Sequence, residues 1–199
     1  HLLDRMNRHI RWQRWSHRKS AWAACNAPRP VATNLLARAG AWRFRSLVGV
    51  VTAPTLRPDG SVIDQPGYDP VTGLLFVPHG VDFPAIPIRP THEQGRAALD
   101  LLLREVLNGF PFAEPHDRSA ALSAILTACV RHALRSAPLH AFEAPRAGSG
   151  KSLLADVVSL IATGATATVM TFTPDPEELR KRILAVLMQG ESVINLDNI

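Results

Sequence analysis

The sequence lacks any apolar run long enough to cross a membrane. Its longest apolar stretches, such as Ala97–Leu103, are interrupted by charges well before the roughly 20 residues that a span requires. The first residues carry charges every few positions, where a secretory signal would need an apolar core. We therefore expect a cytoplasmic chain that does not associate with membranes.

Cysteine is nearly absent. Cys25 and Cys129 are the 2 cysteines in 199 residues, and they lie far apart without the spacing of a metal site. Their simplest interpretation is as small packing residues in a reducing compartment. His79, between two turn sequences, is likewise expected to be a surface or packing residue rather than a ligand. Apolar residues make up 46% of the chain and charged residues 20%, which is typical of globular domains.

Acidic residues are scarce at one end of the chain. Residues 1–45 contain ten Arg and Lys residues against Asp4 alone, a net charge of +9, while the other 12 basic and 16 acidic residues leave −4. Such asymmetry indicates a polyanionic partner. The preponderance of arginine over lysine also follows from a GC-rich genome, so the charge has two explanations.

Tryptophan alternates with arginine in Ile10–Cys25, "IRWQRWSHRKSAWAAC". A helix would place Trp12, Trp15 and Trp22 on one face, whereas a hairpin would use "SHRKS" as a polar turn, and the hairpin is slightly preferred. Basic and aromatic residues together are typical of single-stranded nucleic-acid binding. The alternative to nucleic-acid binding, which we prefer, is a small domain with the tryptophans in its core and the arginines on its solvent-exposed face.

The middle of the chain reads as short strands followed by helices. We predict a short helix over 31–39 ending at Gly40, and a β-rich unit over 46–83 with turns at "RPDG", Gly67 and Gly73. A proline-rich linker over 84–96 follows, in which Thr91 caps a helix with Gln94 as its partner. A second helix is predicted over 118–136. The predicted domains are therefore 1–45, 46–83, the linker 84–96 and 97–199.

A phosphate-binding loop is predicted at Ala144–Asp156, "APRAGSGKSLLAD". The usual pattern is G-x-x-x-x-G-K-[ST], and Gly150, Lys151 and Ser152 fill its last three places. Pro145 occupies the place of the first glycine. That glycine begins the turn, and proline can also begin a turn. The sequence therefore predicts a nucleotide-binding loop in which Pro145 replaces the first glycine of the motif.

The surrounding pattern strengthens this prediction. A strand is expected over 139–144 before the loop, a helix from Lys151 to Gly164, a strand over 166–172, a helix over 174–190, and a strand over 192–199 that contains Asp197. This alternation predicts an α/β fold: the opening half of a P-loop NTPase, preceded by helices and a small β-rich unit.

The expected chemistry follows from these residue types. Backbone N–H groups of the loop and the positive end of the helix would hold a β- or γ-phosphate, which Lys151 would reach. Ser152 and Asp197 would ligate Mg²⁺, so ATP and Mg²⁺ are the expected cofactors. The predicted nucleotide-binding residues are Arg146, Ala147, Gly148, Ser149, Gly150, Lys151, Ser152 and Leu153, and Lys151 and Asp197 are predicted to be catalytic.

Four segments carry a resemblance to a known group of proteins: "LRPDGSVIDQPGYDPVTGLLF", "GSGKSLLADVVSLIATG", "EELRKRILAVLMQG" and "VINLDNI". From about residue 28 onward the chain resembles replication ATPases of prophages, plasmids and integrative elements, near the AAA+ and superfamily 3 helicase groups. The resemblance implies a Walker A loop at Gly148, Gly150, Lys151 and Ser152 and a Walker B acid at Asp197. It also implies single-stranded or forked DNA as a partner, assembly of several copies, and a bacterial or phage-infected cell.

The resemblance implies that Asn198 is a third catalytic residue, because it stands where many AAA+ enzymes have a glutamate that orients the attacking water. Asparagine can position water but cannot accept its proton, so the sequence leaves open how hydrolysis would occur. The sequence favours an ATP-dependent helicase or related replication ATPase. The alternatives are a DNA-binding or helicase-loader module regulated by nucleotide and, least favoured, a small-molecule kinase. Because the chain begins with His1 and stops soon after Asp197, we expect a fragment that is not active alone.

Overall fold

The computed structural model describes residues 2–146 and 148–197. It is a mixed α/β protein with several small sheets, and it divides into two compact units, residues 1–45 and residues 46–199. The finer boundaries predicted at 83 and 96 stay predictions.

The first unit consists of two short helices and a hairpin. Helix α1 (Leu2–His9) leads into the antiparallel strands β1 (Trp12–Ser16) and β2 (Ala21–Cys25), and α2 (Arg29–Leu36) follows. The hairpin alternative for the tryptophan-rich segment is therefore confirmed. The helix predicted over 31–39 begins two residues earlier, because Pro30 suits the first turn of a helix. The small core of the unit contains Met6, Ala27 and Ala32.

The second unit begins with five short strands. They are β3 (Gly49–Val51), β4 (Thr55–Leu56), β5 (Val62–Ile63), β6 (Gly67–Tyr68) and β7 (Leu74–Phe76). Strand β7 lies between β3, to which it is parallel, and β6, to which it is antiparallel, while β4 and β5 form a separate hairpin. The β-rich character and the turns predicted at "RPDG" and Gly73 are confirmed, whereas Gly67, also predicted to lie in a turn, begins strand β6. The Thr52 hydroxyl donates to the carbonyl of Thr163, and the Thr55 hydroxyl donates to the carbonyl of Cys129.

An ion pair joins the turns of this β-rich segment. The guanidinium of Arg57 donates to Asp69 Oδ1 from Nε at 3.1 Å and from Nη2 at 2.9 Å, and the side chain of Asp69 is only 6% exposed. The Thr72 hydroxyl donates to the other oxygen, Oδ2, at 2.6 Å. These hydrogen bonds favour the ionised carboxylate, and they lower the pKa of Asp69 to about 2, with Arg57 as the largest cause.

Three helical segments follow. Helix α3 (His92–Leu101) begins with the predicted capping box: the Gln94 amide donates to Thr91 Oγ1 at 3.2 Å, and the Thr91 amide donates to Gln94 Oε1 at 2.9 Å. A π-helical turn over Leu102–Val106 extends it. Helix α4 spans Pro115–Cys129, not the predicted 118–136, because proline is well suited to the first turn and the chain leaves α-helical geometry at Val130.

The last elements follow the predicted alternation with one exception. Helix α5 (Lys151–Thr163), strand β8 (Thr168–Thr171), helix α6 (Pro176–Met188) and strand β9 (Ile194–Asp197) lie where the sequence predicted them. Strands β8 and β9 form a parallel pair, with Thr171 opposite Asp197. The strand predicted over 139–144 is wrong, since those residues form no strand pairing in the part of the chain that the structure describes. An apolar extended segment becomes a strand only when a neighbouring strand satisfies its backbone groups.

No helix within residues 2–146 and 148–197 is long and apolar enough to cross a membrane.

The Arg57–Asp69 pair makes acid stability of the second unit testable. An unfolded aspartate has a pKa near 3.9, whereas in the folded protein the pKa of Asp69 is about 2. The depressed pKa therefore stabilises the fold above about pH 4, and this contribution is lost as the pH falls towards pH 2. We expect Asp69→Asn to lower the thermal midpoint at pH 7 and to reduce its fall between pH 4 and pH 2, as measured by circular dichroism. Asp82→Asn, at an exposed carboxyl, is the control, and equal effects of the two changes would contradict the prediction.

Candidate functional site

The loop before α5 has the backbone conformation that its glycines allow. Gly148 has φ +79° and Gly150 has φ +89°, both in the left-handed region that other residues enter only at a cost. Gly150 is the N-cap of α5, and its carbonyl accepts the first helical hydrogen bond, from the Leu154 amide at 2.9 Å. The chain therefore turns sharply at Gly150 and enters the helix at Lys151.

Packing of α5 decides which of its residues face the solvent. Leu154 and Val158 are buried in a core with Ala121 and Ile125 of α4, and Ile125 has no exposed surface. These two apolar residues of α5 are four apart and so lie on one face of the helix. Lys151 and Ser152 remain exposed at the start of the helix. The first turn thus presents an ammonium group and a hydroxyl at the positive end of the helix.

The second half of the site comes from β9. Asp197 is the last residue of this strand, and its position is fixed by the parallel ladder with β8 and by the Phe172 amide, which donates to the Asp197 carbonyl at 3.0 Å. Its carboxylate oxygen Oδ1 lies 3.7 Å from Lys151 Nζ. The side chains are 43% and 37% exposed, so the pair is open to solvent and available to a ligand. Two residues 46 positions apart in the sequence are therefore adjacent.

A cavity adjoins this ion pair. Its volume is about 790 Å³, and its lining includes Glu143, Lys151, Ser152 and Asp197, together with apolar residues of α5 and β9. The chain before the loop also contributes, since residues 137–144 line the same cavity. Cavities of roughly this size accommodate cofactor-sized ligands.

The structure brings together three of the predicted site residues, Lys151, Ser152 and Asp197, at this cavity. Five other predicted loop residues are not part of the cavity lining: Arg146, Gly148 and Leu153, which are exposed, and Ser149 and Gly150, which are half-buried. The predicted residues Ala147 and Asn198 lie outside the described part of the chain. The sequence did not predict that Glu143 lines the cavity. Its position just before the loop was the only sequence signal for this.

The donor set suits a hard cation. A hydroxyl and a carboxylate, at Ser152 and Asp197, line one cavity, and magnesium is commonly held by one or two such oxygens together with phosphate oxygens and water. Among the residues that the structure describes, no group of three or more His, Cys, Asp or Glu side chains could hold a metal ion by itself.

In comparisons with known proteins, the chain matches no family model, no curated protein and no solved structure.

The loop conformation can be tested by adding one methyl group. Gly150→Ala forces a Cβ into a left-handed conformation at φ +89°, while its nearest neighbours, ring carbons of Phe110, lie at an unstrained 3.7 Å. We expect it to reduce the free energy of unfolding by about 1–2 kcal/mol through backbone strain. Gly109→Ala is the matched control, because a Cβ there meets no atom within 4 Å and its φ is outside the left-handed region. Denaturant titration measures both, and a neutral Gly150→Ala would contradict the described turn.

Proposed function

We propose that the chain binds ATP at the loop that precedes α5. The observation that carries this proposal is the 3.7 Å approach of Lys151 Nζ, at the helix start, to Asp197 Oδ1, at the end of a strand parallel to its neighbour. Helix starts after glycine turns favour phosphate, and a lysine there adds a full positive charge. An acid beside that lysine offers a ligand for the cation that accompanies a phosphate anion.

The roles of the side chains follow from their charges. Lys151 pairs with Asp197 in the structure, and a triphosphate would offer the ammonium group a more highly charged anionic partner. Asp197, no longer paired with Lys151, would then be able to ligate the cation, and the Ser152 hydroxyl would provide a second oxygen ligand. Mg²⁺, when bound, supplies charge neutralisation for the phosphate oxygens. The exposure of the pair keeps this exchange inexpensive, because half-exposed ion pairs contribute at most about 1 kcal/mol.

The larger role that we propose is that of an ATPase in DNA replication, acting as part of a helicase of a mobile genetic element. Its support is the resemblance stated above and the concentration of positive charge in residues 1–45. DNA in single-stranded or forked form, and further copies of the same protein, are the partners that this role requires.

A second candidate is a DNA-binding or helicase-loader module in which nucleotide regulates assembly without driving unwinding. The observation that favours it is the identity of Asn198, which follows Asp197 directly. An amide has no basic oxygen to remove a proton from water, so this position cannot supply general-base catalysis.

Nucleotide binding should depend on Lys151. We expect Lys151→Ala to weaken binding of a fluorescent ATP analogue by more than tenfold, about 1.4 kcal/mol, as measured by anisotropy in the presence of Mg²⁺. Lys181→Ala, at an exposed lysine of α6, is the matched control and should bind as the original chain does. The thermal midpoints should agree closely, since the Lys151–Asp197 pair is half-exposed. Binding retained within about threefold would exclude the loop as the site.

The residue after Asp197 should distinguish the two functions. In a form of the protein that turns over ATP, Asn198→Glu will preserve or raise the turnover if Asn198 limits hydrolysis, because glutamate can accept a proton, whereas Asp197→Ala will abolish it. Phosphate release measured with and without single-stranded DNA provides the comparison. An equal loss of turnover in both variants would show that Asn198 has a positive role of its own, and would count against the loader.

A further inference from the structure

We propose that the hairpin of the first unit binds single-stranded nucleic acid through a tryptophan pair on its outer face. The hairpin face is defined here as Gln13, Trp15, Trp22 and Ala24, which the strand register places on one side of β1 and β2. This site belongs to the first unit and does not depend on the proposed nucleotide site.

The pairing of the strands separates the three tryptophans into two groups. Trp12 pairs with Cys25 on the inner side, where it packs against Met6 and donates from Nε1 to the Met6 carbonyl at 3.4 Å. Trp15 and Trp22 are direct cross-strand partners on the other side. They are 42% and 64% exposed, so the core interpretation applies to Trp12 alone.

The exposed pair has a geometry suited to stacking. The ring centroids of Trp15 and Trp22 are 5.7 Å apart with an interplanar angle of 75°, so the edge of one ring meets the face of the other. Such a pair stabilises a hairpin by itself. It also leaves ring surface in water beside Gln13 and Ala24, which are both exposed. Every base has a π-face, so exposed rings of this kind recognise unpaired bases with little sequence preference.

The charge around the hairpin selects the partner. The turn between the strands carries His17, Arg18 and Lys19, all exposed, and Arg11 precedes β1 at the other end. Asp4, the acid of residues 1–45, already forms an ion pair with Arg8 at 3.1 Å. A strongly positive unit with projecting aromatic rings is complementary to a polyanion that also has exposed rings, and single-stranded nucleic acid has both properties.

The stacking contribution is tested by replacing one ring at a time in the full chain, without nucleotide. We expect Trp22→Leu and Trp15→Leu to weaken binding of a fluorescent oligothymidylate by about tenfold or more, and Trp22→Phe to restore most of it. Trp42→Leu is the matched control, because Trp42 is also 42% exposed in the first unit but lies after α2 and donates to the Leu35 carbonyl. Near-ultraviolet circular dichroism of each variant reports whether the hairpin is intact.

The charge contribution is tested by a pair of variants with equal net charge. Arg18→Gln with Lys19→Gln should lower the salt slope of binding by about 1.4, since each phosphate contact on a single strand contributes about 0.7. Arg38→Gln with Arg43→Gln removes the same charge outside the hairpin and should leave the slope unchanged. Neither double variant replaces a residue of the tryptophan pair, so this test holds even if a tryptophan variant fails to fold.

Three results would overturn the proposal. The first is an equal loss of affinity in Trp42→Leu and Trp22→Leu. The second is equal binding of a duplex and a single strand of the same length with no effect of the tryptophan changes, which would show attraction by charge alone. The third is equal salt slopes for the two double variants, which would show that the basic residues form a general solvated surface.

Discussion

Burial of one face of α5 against α4 is the constraint on which the candidate site depends. Leu154 and Val158 lie in the same core as Ala121, Ala124 and Ile125, and Leu107 from the preceding segment completes it. Removal of apolar surface from water is the main favourable term in folding. In α5 this term comes from the face that packs against α4. Because that side is fixed, Lys151 and Ser152 at the exposed start of α5 have a fixed direction. The direction in which Lys151 and Ser152 leave the helix is therefore set by the apolar packing of α5 against α4.

The electrostatics of the site depend on the same arrangement. The glycine turn and the helix start provide partial positive charge, Lys151 adds a full one, and Asp197 compensates it at 3.7 Å. A lysine and an aspartate that neutralise each other while half-exposed can exchange partners at small cost. The Arg57–Asp69 pair is different, since Asp69 is buried and accepts hydrogen bonds from Arg57 and Thr72. One ion pair is therefore half-exposed, and the other is buried and joins two turns.

The hairpin of the first unit shows how strand register assigns similar residues to different tasks. Trp12 and Trp15 are three positions apart, and the alternation of a strand places them on opposite faces. The inner tryptophan contributes to a small core and the outer one pairs with Trp22 in water. A helix would have placed Trp12, Trp15 and Trp22 on one face, so all of them would have been either in the core or in solvent. The choice between hairpin and helix therefore changes what the tryptophans can do.

Much of the chain follows from local sequence rules. Thr91 and Gln94 form the predicted capping box, Gly150 and Gly164 adopt the left-handed conformation at the two ends of α5, and β8, α6 and β9 lie near their predicted positions. Capping, glycine conformation and apolar periodicity act over a few residues, so a sequence displays them directly.

Other features depend on which segments meet. The extended residues 137–144 form no strand pairing in the described chain. Glu143 lines the cavity, which no sequence pattern predicted. Arg57 forms an ion pair with Asp69, and the two residues belong to different turns. The sequence by itself determined the capping box of α3, the glycine conformations at the two ends of α5 and the presence of Lys151 and Asp197. Only the tertiary structure decided that Lys151 and Asp197 lie 3.7 Å apart and that Trp15 and Trp22 face water. The reason is physical: a strand pairing, a buried face and an ion pair each require two partners, and a linear pattern describes one partner at a time.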